Sequence, residues 1–482
     1  MGDFKIQDLF EKFQEDIFSD TIVADIASGL VGRGLELMGP FGKKRMIYAD
    51  YVASGRALWQ IENFVLTELL PIYANSHTEA SYLGSMMTSL RRKARNIIRE
   101  QLNANKDHAV IFTGSGATSG VNRLVHLFAV SKMLAQGKSP VVLVGPYEHH
   151  SNILPWRESG ADVIEIREAQ TGGPCMTHLL STLESVKGCP IIGAFSAASN
   201  VTGILSDVIA VTRALKSYGA KVIWDYAGGG PYLKIDLCPA EDAMIDAVVL
   251  SPHKFVGGPQ ATGLLVVRND AVNTFLPSQS GGGTVRFVSP TIHDYSDDLE
   301  VREESGTPNV IGDLRAALCL LVKDAITQEF ITNRNRENSM RALRAWGRNP
   351  NIELLGNLTC ERLPIFSFRV KNGKGGYIHQ QLLTRLLSDR YGIQARGGCA
   401  CAGPYVHRLL DIDVDSSNQF RKEILAGNEI EKPGSVRVNL SYLASDTEID
   451  IILNAVSELA LVADEDAALY KCDTATAIFT PA

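Results

Sequence analysis

The chain has 482 residues, 45% hydrophobic and 21% charged, the balance of an ordinary globular protein too long for one compact domain. A formal net charge of −7 and a sequence pI of about 5.9 argue against nucleic acid or an anionic membrane as the main partner. No apolar run approaches the roughly 18 residues that cross a bilayer, and the N-terminus lacks the basic and apolar regions of a leader. Ile6 stands where a myristoylation signal has Ser or Thr. The eight cysteines, scattered from Cys175 to Cys472, read as reduced thiols and not a disulfide framework, so the cytoplasm is the expected compartment.

In chain order, residues 1–45 are expected as an N-terminal amphipathic helical segment with a glycine-rich exit, packing with a small domain. From 46 onward short apolar runs alternate with segments of helical spacing, among them 120–136 and 206–218. Strands are expected over 108–113, 140–145, 162–166, 190–196, 221–225, 246–250 and 262–267. Their near-continuous Val/Ile/Leu content is what a sheet buried on both faces requires. The fold class is therefore α/β, a mainly parallel seven-stranded sheet between helices. After Gly281-Gly-Gly283 the pattern changes, with one long helix over 313–344 followed by mixed strands and helices. The expected domains are a large one over 46–311 and a smaller α+β one over 312–482, and no internal repeat is visible.

The chemistry gathers at strand ends, where ligands of open α/β sheets bind. Lys254 in Ser251-Pro-His-Lys254 follows the run 247–250, and Asp225 closes the run 221–225. A lysine at the mouth of a buried strand is costly unless its amine is used, and an aspartate beside it suits a protonated pyridine nitrogen. The pair points to pyridoxal 5′-phosphate, held as a Schiff base by Lys254 and made an electron sink by Asp225. Phe112-Thr-Gly-Ser-Gly-Ala-Thr118 joins a strand to a helix, and Gly116, Ala117 and Thr118 would present backbone N–H groups to a phosphate, with Ser251 and His253 completing the cup. Alone, that stretch could be only a tight turn. His149, in Glu148-His-His-Ser-Asn, could lie flat over the pyridine ring and act as acid or base near neutral pH.

Arg437, in the apolar run Gly434-Ser-Val-Arg437, suits bidentate capture of a carboxylate, and Asn200 could add a donor. Arg396-Gly-Gly-Cys399-Ala-Cys401-Ala-Gly-Pro404 is a glycine-flanked loop whose thiols lie beside a cation that favours thiolate. Zinc held by Cys399, Cys401 and His407 is the weaker reading of that loop, because a fourth ligand is missing, and no metal site is assigned.

Over roughly 46–460 this ensemble resembles the class V aminotransferase superfamily of fold-type I pyridoxal phosphate enzymes, specifically its cysteine desulfurase and selenocysteine lyase-like group. Tyr48-Ala-Asp-Tyr and Asn75-Ser-His77 look like the substrate-entry segments, with His77 at the substrate, and Glu148-His-His-Ser-Asn-Ile-Leu-Pro-Trp156 closely matches the ring-stacking segment. Glu304-Ser-Gly-Thr-Pro-Asn309 is similar to the family's Glu-Ala-Gly-Thr-Pro-Asn. Gly281-Gly-Gly-Thr284 resembles a loop that crosses to the other subunit's phosphate, so the resemblance implies a homodimer with shared active sites. It also implies that Cys401 is the sulfur-accepting cysteine, Cys399 an auxiliary thiol, and Arg437 the substrate-carboxylate arginine. The implied activity is removal of sulfur from L-cysteine or a related sulfur or selenium amino acid through a Cys401 persulfide, releasing alanine, with an acceptor protein or thiol taking the sulfur. An aminotransferase, epimerase or β-lyase on a specialised amino acid is the alternative, and a non-catalytic scaffold a remoter one. The chain departs from the family at Gly228, where a glutamine is usual, and at 406–433, a likeness-breaking insertion.

Overall fold

A computed structural model describes residues 9–76 and 78–482. Its centre is a seven-stranded sheet of β1 (His108–Gly114), β2 (Val141–Val144), β3 (Asp162–Glu165), β4 (Ile191–Ser196), β5 (Lys221–Asp225), β6 (Ala247–Leu250) and β7 (Gly263–Arg268), in the order β1-β7-β6-β5-β4-β2-β3. All pairings are parallel except those of β7, which runs antiparallel to both neighbours. Every residue of β2, β4 and β6 is buried, because helices cover both faces. Each strand falls within a residue of its expected bounds.

Around this sheet pack α1 (Leu9–Ile17), α2 (Ile22–Ser28), α3 (Tyr82–Gln101), α4 (Gly116–Leu127), α5 (Val208–Ser217) and α6 (Val310–Ile326). Helix α5 is capped by Asp207, whose Oδ1 accepts the Ala210 N–H at 2.9 Å, and Thr212 on its buried face accepts the Trp224 indole N–H at 2.8 Å. That bond anchors β5 one residue before Asp225. Edge strand β1 would expose outward N–H groups; Glu300 accepts from Val110 and Glu304 from Phe112, each at 2.8 Å. Arg91 and Arg95 hold Glu304 in place at 2.6 and 2.5 Å.

The long helix expected over 313–344 is two helices, α6 and α7 (Gln328–Trp346). Thr327 between them takes φ 72°, a conformation that a β-branched residue rarely adopts, and its hydroxyl caps α7 by accepting from Phe330 N–H. The N-terminal segment also differs from expectation. Phe10, Phe13, Ile17 and Ile26 pack with Leu314 and Leu318 in the large-sheet core, away from the small domain. The glycine-rich exit is a hairpin, Glu36–Gly39 with Gly42–Arg45, and it does reach the smaller unit: Arg390 covers the Phe41 ring at 4.9 Å, and Arg33 just before it pairs with Glu448 at 2.7 Å.

The smaller unit is an antiparallel sheet of β8 (Ile352–Leu354), β9 (Ile365–Val370), β10 (Arg396–Gly398) and β11 (Ser435–Asn439), in the order β8-β9-β11-β10. Its core joins Phe366, Phe368 and Val438 to α8 (Gln380–Tyr391) and α11 (Asp446–Asp466) through Leu386, Ile452 and Leu459. Between β10 and β11 lie α9 (Gly403–Leu409) and α10 (Val414–Leu425), and α10 has no buried residue.

Candidate functional site

A cavity of about 240 Å³ opens where β1, β4, β5 and β6 end, closed on its far side by the loop after β10 and by β11. Its walls include Gly116, Ala117, Thr118, His149, Asn200, Asp225, Gly228, Ser251, His253, Lys254, Arg396, Cys401 and Arg437. Residues up to 385 positions apart, Val52 to Arg437, are thus brought together at the sheet's carboxyl edge and one small-domain strand.

The phosphate end is built by α4. Gly116 opens the helix at φ 62°, and a methyl group there would come within 2.8 Å of Ser251 Oγ. Behind it Gly263 lies so close that any side chain would overlap the Gly116 backbone. Ser115 at the N-cap makes no side-chain cap, while Ala117 N–H donates to Ser251 Oγ at 3.0 Å. A helix start with backbone N–H groups, flanked by a hydroxyl and an imidazole, is a site for a phosphate dianion. Thr118 Oγ1 is bonded to Ser151 Oγ at 2.7 Å, tying the cup to the next loop.

Next to the cup, Asp225 is 4% exposed, and its Oδ1 accepts the Ala227 N–H at 2.7 Å. Burial pushes its carboxyl above the ordinary range, and among the described residues no cationic side chain forms an ion pair with it. A buried carboxylate left without a cation fits a protonated ring nitrogen. Lys254 is brought down from 10.5 to about 8, chiefly by burial, with Asp225 opposing and Arg437 reinforcing the shift. Its amine is therefore neutral far more often than an exposed lysine's.

His149 Nδ1 accepts the Ser151 N–H at 3.1 Å, which fixes the ring. Burial, then the Lys254 charge, push it down to about 4, so it stays neutral at physiological pH. A neutral imidazole suits the expected place over a pyridine ring. Beneath it, Glu148 accepts from Ser196 N–H, Ser196 Oγ and Asn152 Nδ2 at 2.7, 2.7 and 2.6 Å and is pushed up to about 8 by burial. It laces the ends of β2 and β4 together, a role that the sequence pattern did not reveal.

Arg437 on β11 is 4% exposed and donates to Asp50 Oδ1 at 2.8 Å and to the Asn200 carbonyl at 2.9 Å. Asp50 Oδ2 accepts from Arg396 Nε at 3.0 Å, so one carboxylate bridges both arginines at the cavity wall. Sequence reasoning passed over Asp50; only its place in Tyr48-Ala-Asp-Tyr marked it. Asn200 gives Nδ2 to the Ala400 carbonyl at 2.7 Å and keeps a buried Oδ1 without a partner.

Cys401 is exposed and sits in a turn in which Ala402 N–H donates to the Cys399 carbonyl at 3.1 Å. Ala400 and Cys401, its central residues, have φ of 50° and 56°. Cys399 does not line the cavity; it packs toward the buried group of Tyr147, Ile204, Tyr405 and Val406. His407 bonds Gly403 O at 2.8 Å and Ser417 at 3.2 Å. Thr284 is also outside the cavity, fully buried and bonded to Gly281 O at 2.7 Å. His77 lies outside the described residues. At Gly228, where the family's glutamine is missing, a Cβ would meet Asn200 Cβ at 3.5 Å, an ordinary contact.

The family model for class-V aminotransferases matches residues 47–452. A probable cysteine desulfurase of Borreliella burgdorferi is 26% identical over 372 residues, 75% of this chain and 84% of that one. One of Staphylococcus aureus is 25% identical over 371 residues, 76% of this chain and 85% of its own. The apo cysteine desulfurase of Thermococcus onnurineus shares the fold at TM-score 0.71 and 21% identity, covering 86% of this chain and 95% of the other. The cysteine desulfurase CsdA of Escherichia coli does so at 0.68 and 21%, covering 92% and 99%. A phosphate cup, a buried carboxylate without an ion-pair partner and a buried lysine of lowered pKa in one cavity fit the cofactor that such families use, and with the match spanning most of its length the chain belongs to the class-V aminotransferase family of pyridoxal phosphate-dependent enzymes.

Proposed function

We propose that the protein is a cysteine desulfurase, taking sulfur from L-cysteine or a close sulfur or selenium relative. The observation that carries this reading is the presence of Cys401 in the same cavity as Lys254 and Arg437. Bound pyridoxal phosphate supplies an electron sink that weakens bonds at the substrate's α- and β-carbons. Gly116, Ala117, Thr118 and Ser251 hold its phosphate, Asp225 its ring nitrogen and His149 its face. Arg437 and Arg396 bind the substrate carboxylate, sharing Asp50 between them, and Asn200 adds its amide. Lys254, at about 8, takes and returns a proton near neutral pH. Cys401 thiolate attacks the substrate sulfur: an S–S bond forms, the carbon–sulfur bond breaks, and the carbon skeleton keeps the electron pair, gains a proton and leaves as alanine. The persulfide on Cys401 then passes to a thiol or acceptor protein.

Homodimerisation belongs to the same proposal. Exposed Trp59, Leu66 and Tyr82 offer apolar surface for it. Eight free thiols support residence in the cytoplasm. The test is alanine release from L-cysteine by cofactor-loaded protein and by Cys401→Ser. Loss of turnover in the variant with the cofactor retained is expected. Unchanged turnover would transfer the protein to the β-lyases or aminotransferases.

A further inference from the structure

We infer that His150 is the positioning residue that holds Cys401 in the cavity, an inference that rests on Cys401 being the sulfur acceptor. His150 meets the cysteine loop twice. Its backbone N–H donates to the Cys401 carbonyl at 2.8 Å, and its Nε2 accepts the Gly403 N–H at 2.9 Å. The two bonds bracket Ala402 and grip the chain immediately after the Cys401 side chain. Gly403 is pressed against the ring, since a Cβ there would sit 3.0 Å from Nε2.

The loop needs such a hold. Residues 399–402 form a turn with both central residues at positive φ, a geometry that favours Asn-Gly, yet the residues are Ala400 and Cys401. An L side chain in that region costs energy, and such strain persists only where surroundings enforce it. Downstream the chain is fixed, because Ala402, Tyr405 and Val406 are buried against Tyr147 and Ile204. Cys401 therefore points where the turn and the His150 clasp put it.

The clasp depends on charge. Nε2 accepts only while it carries a lone pair; an added proton would set two donors face to face. The charges of Arg157 and Lys432 act on the ring, with His149 tilted beside it at 6.1 Å between centroids. Burial first, then these two cations, hold His150 below the ordinary histidine value. A depressed folded-state value means that the Nε2 bond is fully present above about 6.5, the unperturbed pKa, and is lost as pH falls through the lower one, leaving only the backbone bond to Cys401.

The experiment uses the full-length, cofactor-saturated protein. Deuterium uptake by peptides covering 399–403, corrected for intrinsic rates, is followed from alkaline to acidic pH in wild type, His150→Gln and His150→Leu. Glutamine can place an amide oxygen near the Nε2 position and does not titrate. Wild type should be protected above neutrality and lose protection on acidification; His150→Gln should stay protected at both; His150→Leu should be protected at neither. In parallel, His150→Leu should cut kcat for alanine release about tenfold with KM little changed, and His150→Gln should restore it. Slow exchange in His150→Leu, or a wild-type pH profile in His150→Gln, overturns the inference. If His150→Leu fails to fold, the flat profile of His150→Gln still decides. Altered exchange with no alanine from any form would uphold the clasp and discard the desulfurase reading.

Discussion

Lys254 offers the sharpest quantitative test. At about 8, against 10.5 for an ordinary lysine, roughly one amine in ten is neutral at pH 7 where about three in ten thousand would be, an advantage of about 300-fold. Covalent capture of pyridoxal phosphate needs that neutral amine. Cofactor-free protein mixed with pyridoxal phosphate, then reduced with borohydride and mapped by peptide mass, reports capture at position 254. The rate should climb about tenfold per pH unit up to about pH 8 and then level off. Asp225→Ala should move the plateau to lower pH, because the carboxylate favours the ammonium form, while weakening retention of the cofactor. A rate still climbing tenfold per unit toward pH 10, or an adduct on another lysine, would refute the reasoning.

Three further outcomes follow from the geometry. Asp50→Asn leaves two arginines without their shared anion, one of them 4% exposed, and should cost about 3 kcal/mol in urea unfolding, the lower end for breaking a buried pair; no loss would show that the pair is not closed in solution. Gly263→Ala should expel Gly116 from the phosphate cup and raise the pyridoxal phosphate Kd at least tenfold, measured by cofactor fluorescence, because a methyl group overlaps the Gly116 backbone. Glu304→Ala strips the Phe112 N–H of its acceptor and takes one carboxylate from Arg91 and Arg95, which keep Asp313 and Glu300, and should lower Tm with a loss of about 1–3 kcal/mol.

The sheet was legible because a strand buried on both faces writes itself as an unbroken apolar run; β2 and β4 carry no alternation to confuse the period. The break between α6 and α7 was not, since Ile326-Thr327-Gln328 has neither glycine nor proline and its strain is enforced from outside. Nor was the destination of α1, because an amphipathic helix states which face it buries and not against what. At the site, Asp225, Lys254 and Gly116 stood out by lying at strand ends and helix starts. Asp50 did not, because its partner Arg437 is 387 positions away and only folding joins them. Cys399 looks like a site residue by its place beside Cys401, yet it packs toward Tyr147 and Tyr405 and does not line the cavity.

The central claim is that one cavity joins Lys254 to a sulfur-accepting Cys401. Cofactor-loaded protein given L-cysteine for a single turnover, with the Cys401 peptide then weighed, tests it most directly. One added sulfur on Cys401 for each alanine released is the expected result. Alanine formed with that peptide unmodified, and formed equally well by Cys401→Ser, would contradict it.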